Sequence, residues 1–380
     1  MTIPAPHPPV RRLPWIDFWR GLGLVIVIVG HAYALTGYAV SGDSWLAYSA
    51  RCLVAAFGKR IVEFFFLASG FLICGIMLRL EGSRRPWLNY VKNRARRLLP
   101  AFVAYLLAIW ALHISGVAFA ADPTLVPGGM WWVVGFATNW LAILHPERDL
   151  GILVIHFWSL ATEEQLCLVA PIIFLALRRF PKAAGRCIVS GTVLVPLAGI
   201  AWCLIVGPNR NILWSPFMQV DAFALGMWLA TIQSPPRFER VRFPAWAALC
   251  LPFCVSAWAY GTKDESVAML VVTILAAKLC VGLWFVLLCR AIAAGPECVS
   301  VLVGRFFELL GRRIYGVYVW HNLILLSTFE LLRGTGYGPF ALKKNGGLFC
   351  VFALWAVLAT LTLCQVSWLL FKQFRVRKQS

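Results

Sequence analysis

Apolar runs long enough to cross a bilayer recur along the whole chain and set the strongest limit on its fold. A membrane-spanning helix needs about 20 predominantly apolar residues. Candidate runs lie at 22–40, 61–78, 98–119, 157–177, 187–206, 217–232, 244–260, 266–289, 314–332 and 347–371. Of the 380 residues, 61% are hydrophobic and only 13% are charged. We therefore predict an all-α polytopic membrane protein with about ten transmembrane helices.

The basic residues lie in short clusters between these runs. A formal net charge of +19 would suit a nucleic-acid-binding protein, but the clustering favours topology signals instead. With the N-terminus in the cytoplasm, 25 Lys and Arg residues fall on the cytoplasmic side and nine on the other, with Lys278 inside a span. The positive-inside rule then predicts that both termini are cytoplasmic, and no nucleic acid partner is expected.

The chain reads as one membrane domain with short ends. We predict a flexible tail at 1–10, a single transmembrane domain at 11–371 and a basic cytoplasmic tail at 372–380. No small-residue cleavage site follows the proline-rich start, so the first helix is expected to stay as an anchor. The stretch 120–156 is too short and broken for an eleventh span, which would invert the charge bias, and we expect an interfacial or re-entrant piece. No further domain follows the last span, so we expect the protein to act alone or with a separate partner.

The cysteines show no metal-ligand spacing. Twelve are present, and they are scattered, which is typical of small apolar residues rather than of a disulfide framework or a metal site. Most lie in apolar segments: Cys52, Cys74, Cys167, Cys203, Cys250, Cys254, Cys280 and Cys289.

Three ionisable residues mark the first span. Asp17, Arg20 and His31 lie in RRLPWIDFWRGLGLVIVIVGH. On one helix, eleven residues at about 100° each place Arg20 and His31 within roughly 20° of the same face and about 16 Å apart. A histidine inside a span usually faces a bundle interior or a water-filled cavity, so this stretch is a functional candidate.

Two further clusters have both a structural and a functional interpretation. In the second span Glu63 stands at the outer end, while Ser69 and Gly70 are small enough for close helix packing. Just before Pro100, Arg94 and Arg97 belong to a basic cluster. This cluster is either an anchor of the positive-inside type or a phosphate site, because guanidinium groups bind phosphate oxygens bidentately.

The fourth, sixth and ninth spans also carry polar residues. The adjacent Glu163 and Glu164 point about 100° apart on a helix, so we expect only one to face a given cavity. We place His156 at the membrane interface, and Asp221 lies inside the sixth span. In the ninth span, the aromatic residues Tyr315, Tyr318 and Trp320 read as an aromatic belt, and His321 is expected to have a lining or structural role.

Five motifs in order resemble those of the membrane acyltransferase 3 family of bacterial O-acyltransferases. They are D-x-x-R-G-x9-H from Asp17 to His31, SGFLI ending at Ile73, RARRLLP, WSLATEEQ and YGVYVWH. The resemblance covers most of the chain. It implies a ten-helix enzyme that moves an acyl group, most often acetyl from acetyl-CoA, to a hydroxyl of a carbohydrate or another acceptor.

The resemblance also implies site residues. Arg20, His31, Arg94 and Arg97 match positions that are essential in the family. Three positions depart from its usual pattern: Cys167, Gln219 and Lys372.

These observations combine into a hypothesis for the mechanism. Cytoplasmic acetyl-CoA docks its phosphates on Arg20, Arg94 and Arg97, and a neutral His31 acts as general base on the acceptor hydroxyl. Glu163 or Asp17 orients a charged partner. Supporting roles fall to Asp17, Glu63, Ser69, Asp221, Tyr315 and His321, with no metal. The expected partners are acyl-CoA, a glycan or lipid-linked sugar, and the lipid bilayer of the bacterial inner membrane.

Two other classes of protein fit the same spans. A transporter or flippase of a glycan intermediate would use the intramembrane charges as a substrate path and would release no CoA. A non-catalytic sensor or assembly subunit has no need for Arg20 and His31 on one face. Stabilisation by acetyl-CoA would favour the enzyme over both.

Overall fold

A computed structural model describes most of the chain, and every regular element in it is helical. The described residues are 14–36, 45–115, 129–148, 150–232, 251–256, 258–259, 266–294, 302–333 and 346–376. The predicted tail at 1–10 lies outside them, as do residues 377–380 of the predicted C-terminal tail.

Thirteen α-helices and one 3-10 helix organise the described residues. The first six are α1 (Pro14–Thr36), α2 (Trp45–Leu80), α3 (Pro86–Ile114), α4 (Gly129–Val134), α5 (Thr138–Leu144) and α6 (Gly151–Val154). The next three are α7 (Phe157–Arg179), α8 (Pro181–Val206) and α9 (Pro216–Thr231), with the 3-10 helix Arg210–Trp214 before α9. The last four are α10 (Val267–Ala294), α11 (Leu302–Arg312), α12 (Ile314–Leu332) and α13 (Gly346–Val376). A short helical piece also covers 251–256.

Seven of the described helices are long and apolar enough to cross a membrane. These segments are Pro14–Leu35, Arg60–Leu80, Pro86–Ile114, Phe157–Arg179, Pro181–Val206, Val267–Arg290 and Leu348–Gln365. The predicted sixth and ninth spans are occupied by α9, with 16 residues, and α12, with 19. Most of the predicted seventh span, 244–260, lies outside the described residues. The protein is thus an all-α multi-pass membrane protein, as predicted.

Burial separates a central helix from a peripheral one. In the most apolar 18-residue segment of α2, 78% is buried inside the protein, whereas in the corresponding segment of α8 only 17% is buried. The exposed side chains of α8 include Val193, Leu197 and Ile205. Helices expose such apolar faces where lipid surrounds them. We infer that α2 lies inside the bundle and that α8 borders the lipid.

The stretch after α3 forms short helices and no span in the part that the structure describes. From residue 129 to 154, α4, α5 and α6 have six, seven and four residues. Gln165 of α7 links α7 to the start of α5. Its Nε2 donates to the Phe136 carbonyl oxygen at 2.7 Å, and its Oε1 accepts from Asn139 Nδ2 at 3.1 Å. Within the described residues 129–148 and 150–156, no helix is long enough to cross a membrane.

Glycines allow α2 and α9 to cross at backbone contact. A Cβ on Gly70 would overlap the carbonyl oxygen of Phe223, and one on Gly226 would overlap that of Leu67. For Gly70, the prediction of close helix packing is confirmed. The same device joins α1 to α11, where Gly21 meets Phe307 and Gly311 meets Asp17. Small residues of this kind let membrane helices gain dispersion contacts that larger side chains would block.

The α2–α9 crossing generates a stability prediction. Gly70→Ala forces a methyl group against backbone that cannot move aside, and overpacking of this kind is expected to cost about 3 kcal/mol. Gly282→Ala is the matched control, because no atom lies within 4 Å of a Cβ placed there. Thermal unfolding of the purified variants in detergent measures the difference. Equal unfolding temperatures for the two variants would contradict the packing described here.

Candidate active site

One large cavity runs inside the bundle between α1, α2, α3, α7 and α12. Its volume is about 420 Å³, which lies in the range of small-molecule pockets. Along α2 its lining extends from Leu80 to Val62. Eighteen residues of helix rise by about 27 Å, so the cavity follows most of the thickness of a bilayer core.

Arginines from three helices line one end of the cavity. Arg79 of α2 and Arg94 and Arg97 of α3 join Arg20 of α1 there. Arg20 therefore lines the same cavity as Arg94 and Arg97, whereas the sequence predicted a common position at the membrane surface. Asp17 forms an ion pair with Arg20, in which Asp17 Oδ1 lies 3.9 Å from Arg20 Nη1.

Arg94 is held by both adjacent carboxylates of α7. Its Nε donates to Glu164 Oε2 at 2.8 Å and its Nη2 to Glu164 Oε1 at 2.6 Å, while Nη2 also lies 3.3 Å from Glu163 Oε1. Ser69 Oγ donates to the same Glu163 oxygen at 3.0 Å. The prediction that only one of these carboxylates could face a given cavity is wrong. Both line it, because one planar guanidinium reaches both side chains.

Three histidines meet beyond the other end of the cavity. The ring centroid of His321 lies 5.1 Å from that of His31 and 5.1 Å from that of His156. His321 Nδ1 donates to the Tyr318 carbonyl oxygen at 2.6 Å, and Asn322 Nδ2 donates to His156 Nδ1 at 3.0 Å. We call His31, His156 and His321 the histidine cluster. Within the described ranges no group of side chains is arranged to hold a metal ion.

His156 is not at the membrane interface, so that expectation is wrong. Its exposed fraction is 1%, and its ring packs against Phe157, Tyr318 and His321. The reason is that side chains of α7 and α12 surround its ring. His321 was predicted to have a lining or a structural role. It is buried and does not line the cavity, which favours the structural role.

Tyr318 separates the cavity from the histidine cluster. It lines the cavity, and its ring centroid lies 5.3 Å from that of His321. Its Oη donates to the His156 carbonyl oxygen at 2.5 Å and shares a 2.5 Å hydrogen bond with Ser159 Oγ. Tyr318 is thus an interior residue and not part of an aromatic belt. His31 itself is partly exposed but does not line the cavity.

The other predicted residues divide between the cavity and separate ion pairs. Tyr315 lines the cavity. Glu63 and Asp221 do not: Glu63 accepts from Arg60 at 2.6 Å, and Asp221 pairs with Lys278 at 2.9 Å. Both pairs are buried. Buried ion pairs need such partners, because an unpaired charge in the bilayer core is costly.

Sequence reasoning gave no role in the site to four side chains that shape this region: His156, Ser159, Tyr318 and Asn322. Each lies in or beside one of two motifs, HFWSLATEEQ and YGVYVWHN. The available signal was that polar residues open one apolar helix and interrupt another. Their meeting in space depends on the packing of α7 against α12, which no local pattern encodes.

The fold and the cavity define a multi-pass helical membrane protein with an interior cavity that is lined by apolar side chains and four arginines. Comparison with protein families matches residues 13–377 to the acyltransferase domain. The chain therefore belongs to the membrane acyltransferase 3 family, as its motifs predicted.

Two relatives illustrate the similarity. The chain is 25% identical over 294 residues to "Putative peptidoglycan O-acetyltransferase YrhL" of Bacillus subtilis, covering 70% of this chain and 44% of that protein. It is 24% identical over 351 residues to O-acetyltransferase OatA of Staphylococcus aureus, covering 83% of this chain and 51% of OatA. The chain thus spans about half the length of these relatives. No solved structure matches it significantly.

Two tyrosines of α12 provide a matched test of this geometry. Tyr318→Phe removes the hydroxyl that links α12 to α7, and the loss of its buried hydrogen bonds is expected to cost about 2 kcal/mol. Tyr315→Phe should cost almost nothing, because the Tyr315 hydroxyl has no hydrogen-bond partner. Thermal unfolding of both variants in detergent measures the contrast. Equal destabilisation by both would contradict the role of Tyr318.

Proposed function

We propose that this protein is an integral-membrane O-acyltransferase that moves acetyl from acetyl-CoA to a hydroxyl of a glycan. The observation that carries the proposal is the single cavity that leads from four arginines to Tyr318 and the histidine cluster behind it. Family membership and the names of the two relatives favour the same reaction class. The proposed location is the bacterial inner membrane.

The arginines suit the phosphates of the donor. Arg97 is exposed at the cavity and Arg20 lines it, and guanidinium groups bind phosphate oxygens bidentately. Arg94 borders the same space, but Glu163 and Glu164 compensate its charge. We therefore assign phosphate binding mainly to Arg20 and Arg97. Arg94 and Glu163 hold the wall of the site in place.

The cavity also has the length that the acyl arm needs. Arg20 and His31 are separated by about 16 Å along α1. A donor bound by its phosphates at Arg20 can extend its arm past Ser69 and Glu163 toward Ser159 and Tyr318. The charge bias of 25 basic residues to nine supports a cytoplasmic position for the arginine end, on the side where acyl-CoA is found.

In the chemical step His31 acts as general base. It accepts the proton of the acceptor hydroxyl as the hydroxyl oxygen attacks the thioester carbonyl carbon. The carbon–sulfur bond breaks, and the departing CoA thiolate takes the proton from His31. His321 lies against the His31 ring and limits its orientation. Because Tyr318 stands between the cavity and the cluster, its side chain must move for the thioester to reach His31.

The acceptor is proposed to be a glycan or lipid-linked sugar delivered at the membrane. The relatives' printed names include a peptidoglycan O-acetyltransferase. Apart from 120–156, the segments between the predicted spans have at most 24 residues, which favours an acceptor that arrives in or near the bilayer.

Variants of the first span test the proposed function. A deletion strain is complemented with each variant, and alkali-releasable acetate of the cell envelope is measured. His31→Ala is expected to lower this acetate at least about 100-fold, because a positioned general base contributes that much. Arg20→Ala should also lower it. In the purified protein, Arg20→Ala should weaken thermal stabilisation by acetyl-CoA, whereas His31→Ala should retain it.

Matched controls come from exposed residues of the same types. His113 and Arg186 are exposed and lie outside the cavity, so His113→Ala and Arg186→Ala should behave like the parental chain. Parental acetate levels in folded His31→Ala would refute the base assignment. If acetyl-CoA does not stabilise the parental chain, the assignment of the cavity to this donor is wrong.

A further inference from the structure

A second, smaller polar cavity lies at the other end of the buried part of α2. Its volume is about 50 Å³, enough for one or two water-sized groups. Arg60 and Glu63 of α2 line it, together with Arg210 and Trp214 from the 3-10 helix. Val62 lines both this cavity and the large one. A single side chain therefore stands in the wall between the two spaces.

Two buried oxygens at this small cavity have no hydrogen-bond donor. Glu63 Oε1 accepts from Arg60 Nη1 at 2.6 Å, which leaves Glu63 Oε2 without a partner. Gln219 Nε2 donates to the Leu213 carbonyl oxygen at 2.6 Å, which fixes the amide and leaves Gln219 Oε1 without a partner. Both residues have an exposed fraction of 2%. Buried polar atoms normally find partners, so these two oxygens can accept hydrogen bonds from a group that enters the cavity.

The chemistry of these oxygens selects the ligand. Both are acceptors, so they need a donor and would repel an anion. The guanidinium groups of Arg60 and Arg210 in the same lining oppose a cation. A neutral group with O–H donors satisfies both conditions, and a cavity of about 50 Å³ takes one hydroxyl or hydroxymethyl group. Hydroxyl groups of this kind are what a sugar presents.

The start of α7 brings this small cavity next to the proposed chemistry. Three residues at its start contact three neighbouring regions, and the first of them, His156, directly precedes α7. His156 belongs to the histidine cluster, Trp158 lines the small cavity, and Ser159 lines the large one. A ligand group beside Trp158 is therefore within one helical turn of both the donor cavity and the histidines.

We propose that the small cavity is an acceptor subsite that binds a non-reacting hydroxyl group of the glycan, with Glu63 and Gln219 as hydrogen-bond acceptors. The inference rests on the proposed acyltransferase function. It adds where the acceptor binds, which is on the side of Val62 away from the donor. It also adds how the acceptor is recognised, which is by oxygens that accept hydrogen bonds from it. In this arrangement the subsite holds the glycan while another of its hydroxyls meets the thioester.

Gln219 offers the sharpest variants. Gln219→Met removes Oε1 and also the donor to the Leu213 carbonyl, whereas Gln219→Glu keeps an oxygen acceptor and replaces that donor nitrogen with a second carboxyl oxygen. We expect Gln219→Met to lower the alkali-releasable acetate of a complemented deletion strain about tenfold or more, since one hydrogen bond to the acceptor is lost. Gln219→Glu should retain more acetate than Gln219→Met, because it keeps an acceptor oxygen. Glu63→Gln, which keeps Oε1 for Arg60 and reverses the polarity at Oε2, should behave like Gln219→Met.

Acetyl-CoA binding separates this inference from the proposed function. Purified Gln219→Met and Glu63→Gln should be stabilised by acetyl-CoA as strongly as the parental chain, while Arg20→Ala should not. Thr273→Val, a buried change outside both cavities, controls for a general packing loss. If the parental chain restores no acetate, the proposed function itself fails.

The subsite has two ways to fail while the parental chain is active. Equal acetate loss in Gln219→Met and Gln219→Glu would show that the bond to Leu213 is what matters, and the subsite would be overturned. Parental acetate levels in Gln219→Met would overturn it as well. If Glu63→Gln does not accumulate because the buried pair with Arg60 is weakened, the two Gln219 variants still decide.

Discussion

The interaction on which the interior depends is the cluster around Arg94. Its guanidinium joins α3 to Glu163 and Glu164 of α7, and Ser69 of α2 donates to the same Glu163 oxygen. Three helices are thereby linked through polar atoms inside an apolar bundle. Such a cluster is costly to desolvate, and well-packed apolar side chains would fill the same space at less cost. Its retention is understandable if the cavity that it borders must stay open and polar for an anionic donor.

Two spaces of different chemistry approach one another around the start of α7. The large cavity is long and lined by four arginines, whereas the small cavity is bordered by two oxygens without a hydrogen-bond donor. Val62 separates the cavities, and Tyr318 separates the larger one from the histidines. In the proposed arrangement, the donor lies in the cavity that follows α2 from Leu80 to Val62, and the acceptor lies beyond Val62, beside Arg60 and Glu63. We propose that Tyr318 and Val62 control whether the two meet.

Much of this organisation could be predicted from the sequence, and the failures share one cause. Helical periodicity put Arg20 and His31 on one face, and the convergence of Arg20 with Arg94 and Arg97 followed from their common membrane surface. His156 and Asn322, by contrast, are 166 positions apart. Local patterns placed His156 at an interface because they carry no information on how deeply α7 begins. The two-carboxylate contact of Arg94 was missed because the reach of its side chain outweighs the 100° between neighbouring helix positions.

The most direct test of the central claim is a cryo-electron microscopy map of the full chain in lipid nanodiscs with saturating CoA. The claim predicts density for CoA in the large cavity, with phosphates at Arg20 and Arg97 and the thiol end near Ser159 and Tyr318. A map in which lipid fills this cavity and CoA binds elsewhere, or does not bind, would contradict it.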